Sequence, residues 1–144
     1  MLIITIDGPA GSGKSTVAKR IAQRLHLPFL DTGAMYRAVT FYFMEQSVEP
    51  GETEKIENLM QSMDLLVGEE GIFLFGKDVS REIRLPRVSQ RVSLYASLSS
   101  VRKHLVELQR RQAREPGLVT EGRDMGTVVF PQASFKFFLI ATPE

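Results

Sequence analysis

At 144 residues the chain is long enough for one domain with a buried core, and 43% hydrophobic against 24% charged residues is the balance of a globular protein. Lys and Arg number 18 against 17 Asp and Glu, so a net charge of +1 supplies no global field for nucleic acid. With no cysteine there is no disulfide framework and no thiolate metal site, and no apolar run is long enough to span a bilayer. The leading apolar run is short, lacks a basic start and runs into Asp7, unlike a secretory signal. A cytoplasmic protein with no nucleic-acid and no membrane partner is the expectation.

Residues 2–6, almost continuously apolar, read as a parallel strand covered on both faces. The stretch Gly8-Pro9-Ala10-Gly11-Ser12-Gly13-Lys14-Ser15 follows directly and fits G-x-x-x-x-G-K-[ST]. Glycines let backbone N–H groups approach phosphate oxygens, and the following helix adds the positive end of its dipole. Lys14 is then placed for the β- and γ-phosphates and Ser15 for Mg2+. The stretch with Thr16 is therefore the candidate ATP site, and Ser15 the candidate metal ligand.

A helix from Lys14 to about His26 carries Val17, Ile21 and Leu25 at helical spacing, and Pro28 marks its end. Residues 28–31 form a short strand, and an apolar helix runs from about Gly33 to the break at Gly51. Residues 54–63 give a more polar helix with Ile56, Leu59, Met60 and Met63 inward. Residues 65–67 and 72–75 then read as a hairpin, with Gly76-Lys77-Asp78 as a second turn. Ser99 or Ser100 caps a helix whose Val101, Leu105 and Leu108 share a face. Pro116-Gly117 ends that helix, residues 118–121 make a third core strand, and residues 135–141 a fourth.

Strand, phosphate loop, helix and further strands imply a doubly wound parallel α/β sheet. The hairpin marks an inserted subdomain: about 1–50 and 116–144 as core, about 51–115 as insert. Ligands of such sheets bind beyond the carboxyl ends of the strands, which brings together the phosphate loop, residues 31–37 and residues 122–124. There Arg37 and Arg123 can each grip a phosphate with a bidentate fork. Asp31 either holds a water on Mg2+ or caps a helix, and Glu121 is either linked to Mg2+ through water or a structural hydrogen-bond partner. His26 and His104 read as structural, Met35, Met44, Met60, Met63 and Met125 as core filling, and the arginines of 102–114 as a solvated face.

Asp31-Thr32-Gly33-Ala34-Met35-Tyr36-Arg37 and Gly122-Arg123-Asp124-Met125-Gly126-Thr127-Val128-Val129-Phe130-Pro131 resemble signatures of the bacterial cytidylate kinases. Gly76-Lys77-Asp78-Val79 with Ile83-Arg84, and Val101-Arg102 with Gln109-Arg110, extend the resemblance along essentially the whole chain. The resemblance implies ATP- and Mg2+-dependent phosphorylation of CMP and dCMP on a P-loop kinase fold with an inserted monophosphate-binding subdomain. It implies phosphate-acceptor contacts at Thr32, Arg37 and Arg123, with Arg123 and Lys14 catalytic. Cytosine-reading contacts fall on Ser93, Arg102 and Asp124: Asp124 and Ser93 accept from the exocyclic amine, and Arg102 donates to the ring edge.

The family continues past the fourth strand with an arginine-rich helix, a lid, a last strand and a terminal helix, whereas this sequence stops at Glu144. A C-terminally incomplete kinase domain is the expectation, its edge strand prone to self-association where the complete enzyme is a monomer. The alternatives are a nucleotide-binding fragment without efficient turnover and another small-substrate P-loop kinase, for uridylate for example. A nucleotide-triphosphate switch is disfavoured, because no N-K-x-D-type guanine-reading motif is present.

Overall fold

The computed structural model describes residues 1–140. The chain divides into two compact units, Met1–Thr32 with Leu108–Glu144, and Gly33–Glu107. Among the described residues no helix is long and apolar enough to cross a membrane.

The first unit is built on a parallel sheet of β1 (Leu2–Asp7), β2 (Phe29–Asp31), β6 (Gly117–Gly122) and β7 (Phe135–Phe138), in the order β2-β6-β1-β7. Strands buried on both faces need no polar alternation, which is why β1 opens on the apolar run Leu2-Ile3-Ile4 and every residue of β6 is buried. Helix α1 (Lys14–Leu25) covers one face, where Ala18 and Ala22 meet Ile4, Ile6 and Val119. The helix expected from the spacing of Val17, Ile21 and Leu25 is present; Ile21 packs beside the buried Ala18 and Ala22, while Val17 and Leu25 are 37% and 46% exposed. Alanines four residues apart let the helix axis approach the sheet, and the larger side chains flank the contact. His26 closes α1 in the left-handed region at φ 56°, with its N–H on the carbonyls of Ala22 and Gln23.

A single π-helical turn, Met125–Val129, follows β6 and contacts β1 through Gly126, which lies against Thr5 and Asp7. Among the described residues β7 pairs only with β1, and Phe135, Phe137 and Phe138 are all about half or more exposed, at 56%, 49% and 65%. The expected strand is thus present and parallel to β1, but it ends at Phe138, so Leu139 and Ile140 of the expected span lie beyond it; Ala141 lies outside the described residues.

The second unit holds most of α2 (Thr32–Glu45), then α3 (Thr53–Gln61) and an antiparallel sheet of β3 (Leu65–Gly68), β4 (Gly71–Leu74) and β5 (Lys77–Asp78). Lys77 and Asp78 do not form the expected turn. They pair with Leu74 and Phe73, leaving the turn at Phe75 and Gly76. Asp78 fixes the exit of this strand by accepting from the Ser80 N–H at 2.9 Å and from its hydroxyl at 2.6 Å. The Ser80 hydroxyl holds the Asp78 carboxyl below its ordinary value. Residues 82–96, which carry no clear periodicity, fold into a 3-10 turn (Glu82–Arg84) and two short helices, α4 (Pro86–Ser89) and α5 (Val92–Ala96). Ile83 of the 3-10 turn and Val88 of α4 enter a core with Ala34, Ala38, Phe41, Ile72, Leu74 and Val79, and Val92 of α5 packs against it.

Helix α6 (Ser99–Arg111) buries Val101 and Leu105 as its spacing demands. His104 lies 3.0 Å from Glu57, and this hydrogen bond is the main reason the Glu57 carboxyl sits below its usual value. Tyr95 is fully enclosed, with its ring 5.2 Å from that of Phe43 and its hydroxyl donating to the Val48 carbonyl at 2.6 Å. Tyr95→Phe keeps the ring and strands a buried acceptor. The expected result is a loss of roughly 1–3 kcal/mol in urea unfolding, with far-UV circular dichroism unchanged.

Candidate active site at the phosphate loop

Residues 8–13 leave the end of β1 and wrap back on themselves before α1 begins. Gly11 and Gly13 make the wrap possible, at φ of 77° and 83°, values that a side chain strongly disfavours. Gly13 precedes α1, and among the described residues no side chain caps this helix and no acidic residue stands in its first turn. The N–H groups at its start are therefore offered to an anion, with the positive end of the helix dipole behind them. The Ser12 hydroxyl is buried, with no hydrogen-bond partner among the described residues.

Lys14 folds over this loop. Its ammonium donates to the Pro9 carbonyl at 3.3 Å and lies 3.9 Å from the Glu121 carboxylate. Glu121 is 6% exposed at the end of β6, so its charge needs such a counterion close by. Glu121 thus stands beside the lysine at the mouth of the loop. An uncapped helix start, a lysine and an enclosed serine hydroxyl form a donor set suited to a polyphosphate. Ser15, in the first turn of α1, presents a hydroxyl of the kind that ligates Mg2+.

Asp7, at the last position of β1, was legible in the sequence only as the residue that stops the apolar run. In the structure it is 5% exposed, and its two carboxylate oxygens accept from the N–H groups of Met125 and Gly126, each at 2.8 Å. These are the first two residues of the π-helical turn, and they directly follow Arg123 and Asp124. Arg123 is exposed and Asp124 half-buried. A carboxylate at the carboxyl end of a buried strand, next to a phosphate loop, is the signal that reveals such a residue.

Thr32 lies at the first position of α2 and is buried; its hydroxyl donates to the Glu121 carbonyl at 2.9 Å, tying the end of β2 to the end of β6. Asp31 stands in register with Glu121 on the paired strand. Arg110, expected on a solvated face, instead spans two carbonyls of the π-helical turn. Its Nε donates to Val129 at 3.0 Å and a terminal nitrogen to Val128 at 2.9 Å. The planar fork fits two neighbouring carbonyls, which charge counting along a helix does not reveal. Gln109 before it is fully buried, with neither end of its amide partnered among the described residues.

In the second unit, Arg37 is half-buried on α2, Ser93 is exposed on α5 and Arg102 is exposed on α6. The structure thus gathers Lys14, Glu121, Thr32 and the 122–126 segment around the strand ends of the first unit.

A parallel sheet whose first strand feeds a glycine loop and an uncapped helix, with an antiparallel insert along the chain, belongs to the class of P-loop nucleoside monophosphate kinases. Within that class, residues 4–144 match the family model described as cytidylate kinase, and the chain belongs to the cytidylate kinase family. It is 48% identical over 143 residues to a cytidylate kinase of Clostridium tetani, an alignment covering 99% of this chain and 63% of the relative. A cytidylate kinase of Desulforamulus reducens is 49% identical over 144 residues, covering 98% of this chain and 65% of the relative. A bifunctional pantoate ligase/cytidylate kinase of Prochlorococcus marinus is 46% identical over 147 residues, covering 99% of this chain and 28% of that protein. The chain thus spans a little under two thirds of the cytidylate kinases from Clostridium tetani and Desulforamulus reducens.

The close packing at the strand ends has a direct test at Gly122. A Cβ there would lie 2.7 Å from the Thr32 hydroxyl oxygen and 3.0 Å from Met125 Cγ. Gly122→Ala should push the Thr32 hydroxyl off the Glu121 carbonyl and lower the unfolding free energy by roughly 1–3 kcal/mol, read by denaturant titration.

Proposed function

We propose that the protein transfers the γ-phosphoryl group of ATP to CMP or dCMP, with Mg2+, giving CDP or dCDP and ADP. The observation that carries this reading is the phosphate loop of residues 8–15, closed onto an uncapped helix with Lys14 folded over it, in a chain of the cytidylate kinase family. An oxygen of the acceptor phosphate forms the new bond to the γ-phosphorus as the bond to the β,γ-bridging oxygen breaks. Bound Mg2+, held by Ser15, would neutralise charge on the donor phosphates.

The protein's share is positioning and charge neutralisation. Gly8, Pro9, Ala10, Gly11, Ser12, Gly13 and Thr16 line the donor polyphosphate with Lys14 and Ser15. Lys14 exchanges its contacts with Pro9 and Glu121 for the β- and γ-phosphates. Arg37 and Arg123 hold the acceptor phosphate. Thr32 joins them only by releasing the Glu121 carbonyl to which it now donates. Asp124 and Ser93 accept from the cytosine amine while Arg102 donates to the ring edge. Uracil turns a carbonyl toward the carboxylate and is rejected. The reading carries a cytoplasmic setting with it, consistent with a chain free of cysteine.

The test is ADP release by the intact gene product across CMP, dCMP, UMP and AMP, with CMP and dCMP expected to dominate. Lys14→Ala should cost on the order of 10²–10³ in turnover, the scale of one electrostatic stabiliser, without loss of cooperative unfolding. A variant keeping over half the activity would remove Lys14 from the mechanism. Asp124→Ala should narrow the discrimination between CMP and UMP by roughly 1–3 kcal/mol, as expected for a lost buried contact. Equal losses on both substrates would show that Asp124 does not read the base.

A further inference from the structure

We infer that Asp7 is a positioning residue for the acceptor side of the reaction: its carboxylate fixes the Arg123–Asp124 segment to the strand that launches the phosphate loop. The inference rests on the reading of Arg123 and Asp124 as monophosphate contacts. It starts from a buried charge with a specific use. Asp7 is 5% exposed, and each carboxylate oxygen accepts one backbone N–H, from Met125 and from Gly126, at 2.8 Å. The N-cap residue Asp124 makes no side-chain cap to the π-helical turn, so its first two N–H groups find their acceptor in a residue 118 and 119 positions earlier in the chain. Charge-assisted bonds of this kind are the stronger class, and two of them on one carboxylate define direction as well as distance.

The post itself is rigid. Asp7 stands in register with Gly122 of β6 on one side and Phe138 of β7 on the other, and its carbonyl accepts from Leu139 at 2.8 Å. The next residue, Gly8, opens the phosphate loop and donates to the Gly122 carbonyl at 3.3 Å. One residue therefore sets the origin of the donor loop through its backbone and the end of the acceptor segment through its side chain. Gly126 is shaped to this contact: a Cβ there would lie 2.8 Å from the Thr5 hydroxyl oxygen and 3.4 Å from an Asp7 carboxylate oxygen. Asp7 touches neither substrate; it acts by holding the backbone from which Arg123 and Asp124 project. Misplacing such a support by a fraction of an ångström reduces turnover even when both substrates still bind.

The experiment compares Asp7→Asn and Gly126→Ala with the wild type in the intact protein. Asn keeps the shape but turns an amide donor toward one of the two backbone donors. Ala at 126 crowds the same contact and leaves the carboxylate in place. For both variants kcat/KM for CMP should fall by about 10- to 100-fold, the scale of one or two lost charge-assisted hydrogen bonds, while the Kd for ATP stays within about 2-fold. Amide exchange at Met125 and Gly126 should accelerate at least about 10-fold in Asp7→Asn, with the β1 amides still protected. This exchange readout needs no turnover, so it stays decisive if the wild type proves inactive on CMP, a result that would sink the proposed activity instead. Unchanged exchange at both amides, wild-type kcat/KM for CMP, or equal losses on CMP and ATP would each overturn the assignment. If Asp7→Asn fails to fold, Gly126→Ala decides it on the same CMP-against-ATP comparison.

Discussion

A carboxylate at the end of a buried parallel strand is costly unless its oxygens are matched, and the first unit is arranged around matching one. Asp7 holds two backbone N–H groups, and the turn that supplies them is closed from its other end by the Arg110 fork on Val128 and Val129. Remove the strand end and the turn loses the acceptor of its first two N–H groups; remove the turn and the carboxylate loses both donors. This mutual requirement explains why β1 stops where it does and why a glycine stands at position 126, where any side chain would enter the contact.

Lys14 and Glu121 follow the same logic a few residues away. Each is enclosed, and each neutralises the other at 3.9 Å, close enough to offset burial yet longer than a tight ion pair. A lysine held at that distance has no tight partner to abandon, which suits the role proposed for it. At the start of α1 beside it, among the described residues, no side-chain cap takes the first N–H groups of the helix. In the second unit polar groups are instead consumed internally, as in Tyr95 with Val48, Ser80 with Asp78 and His104 with Glu57.

The parallel strands, the phosphate loop and the hairpin were readable because each rests on short-range rules: an unbroken apolar run, glycines at fixed offsets, strand residues flanking Gly68 and Gly71. Where those rules meet a choice, the chain alone does not make it. Val17 and Leu25 share helical spacing with Ile21, yet only Ile21 packs beside Ala18 and Ala22, and only the docking of helix on sheet makes that selection. Lys77 and Asp78 carry turn chemistry yet pair as a strand, because Phe73 and Leu74 offer a free edge. Residues 82–96 have no period to detect, since their helices are too short to show one.

Local sequence determined that this protein has a parallel α/β sheet and a glycine loop of the phosphate-binding pattern, and family resemblance named Arg37, Ser93, Arg102, Arg123 and Asp124 as candidate substrate residues. Both kinds of signal lie within a few consecutive positions, where backbone geometry and spacing act directly. Tertiary structure decided the partners of the charges: Asp7 with the amides of 125 and 126, Lys14 with Glu121, Arg110 with the carbonyls of 128 and 129. Those pairs join residues 18 to 119 positions apart. No local rule reaches so far, because which buried charge meets which backbone group depends on how the strands are ordered, and that order exists only once the sheet has formed.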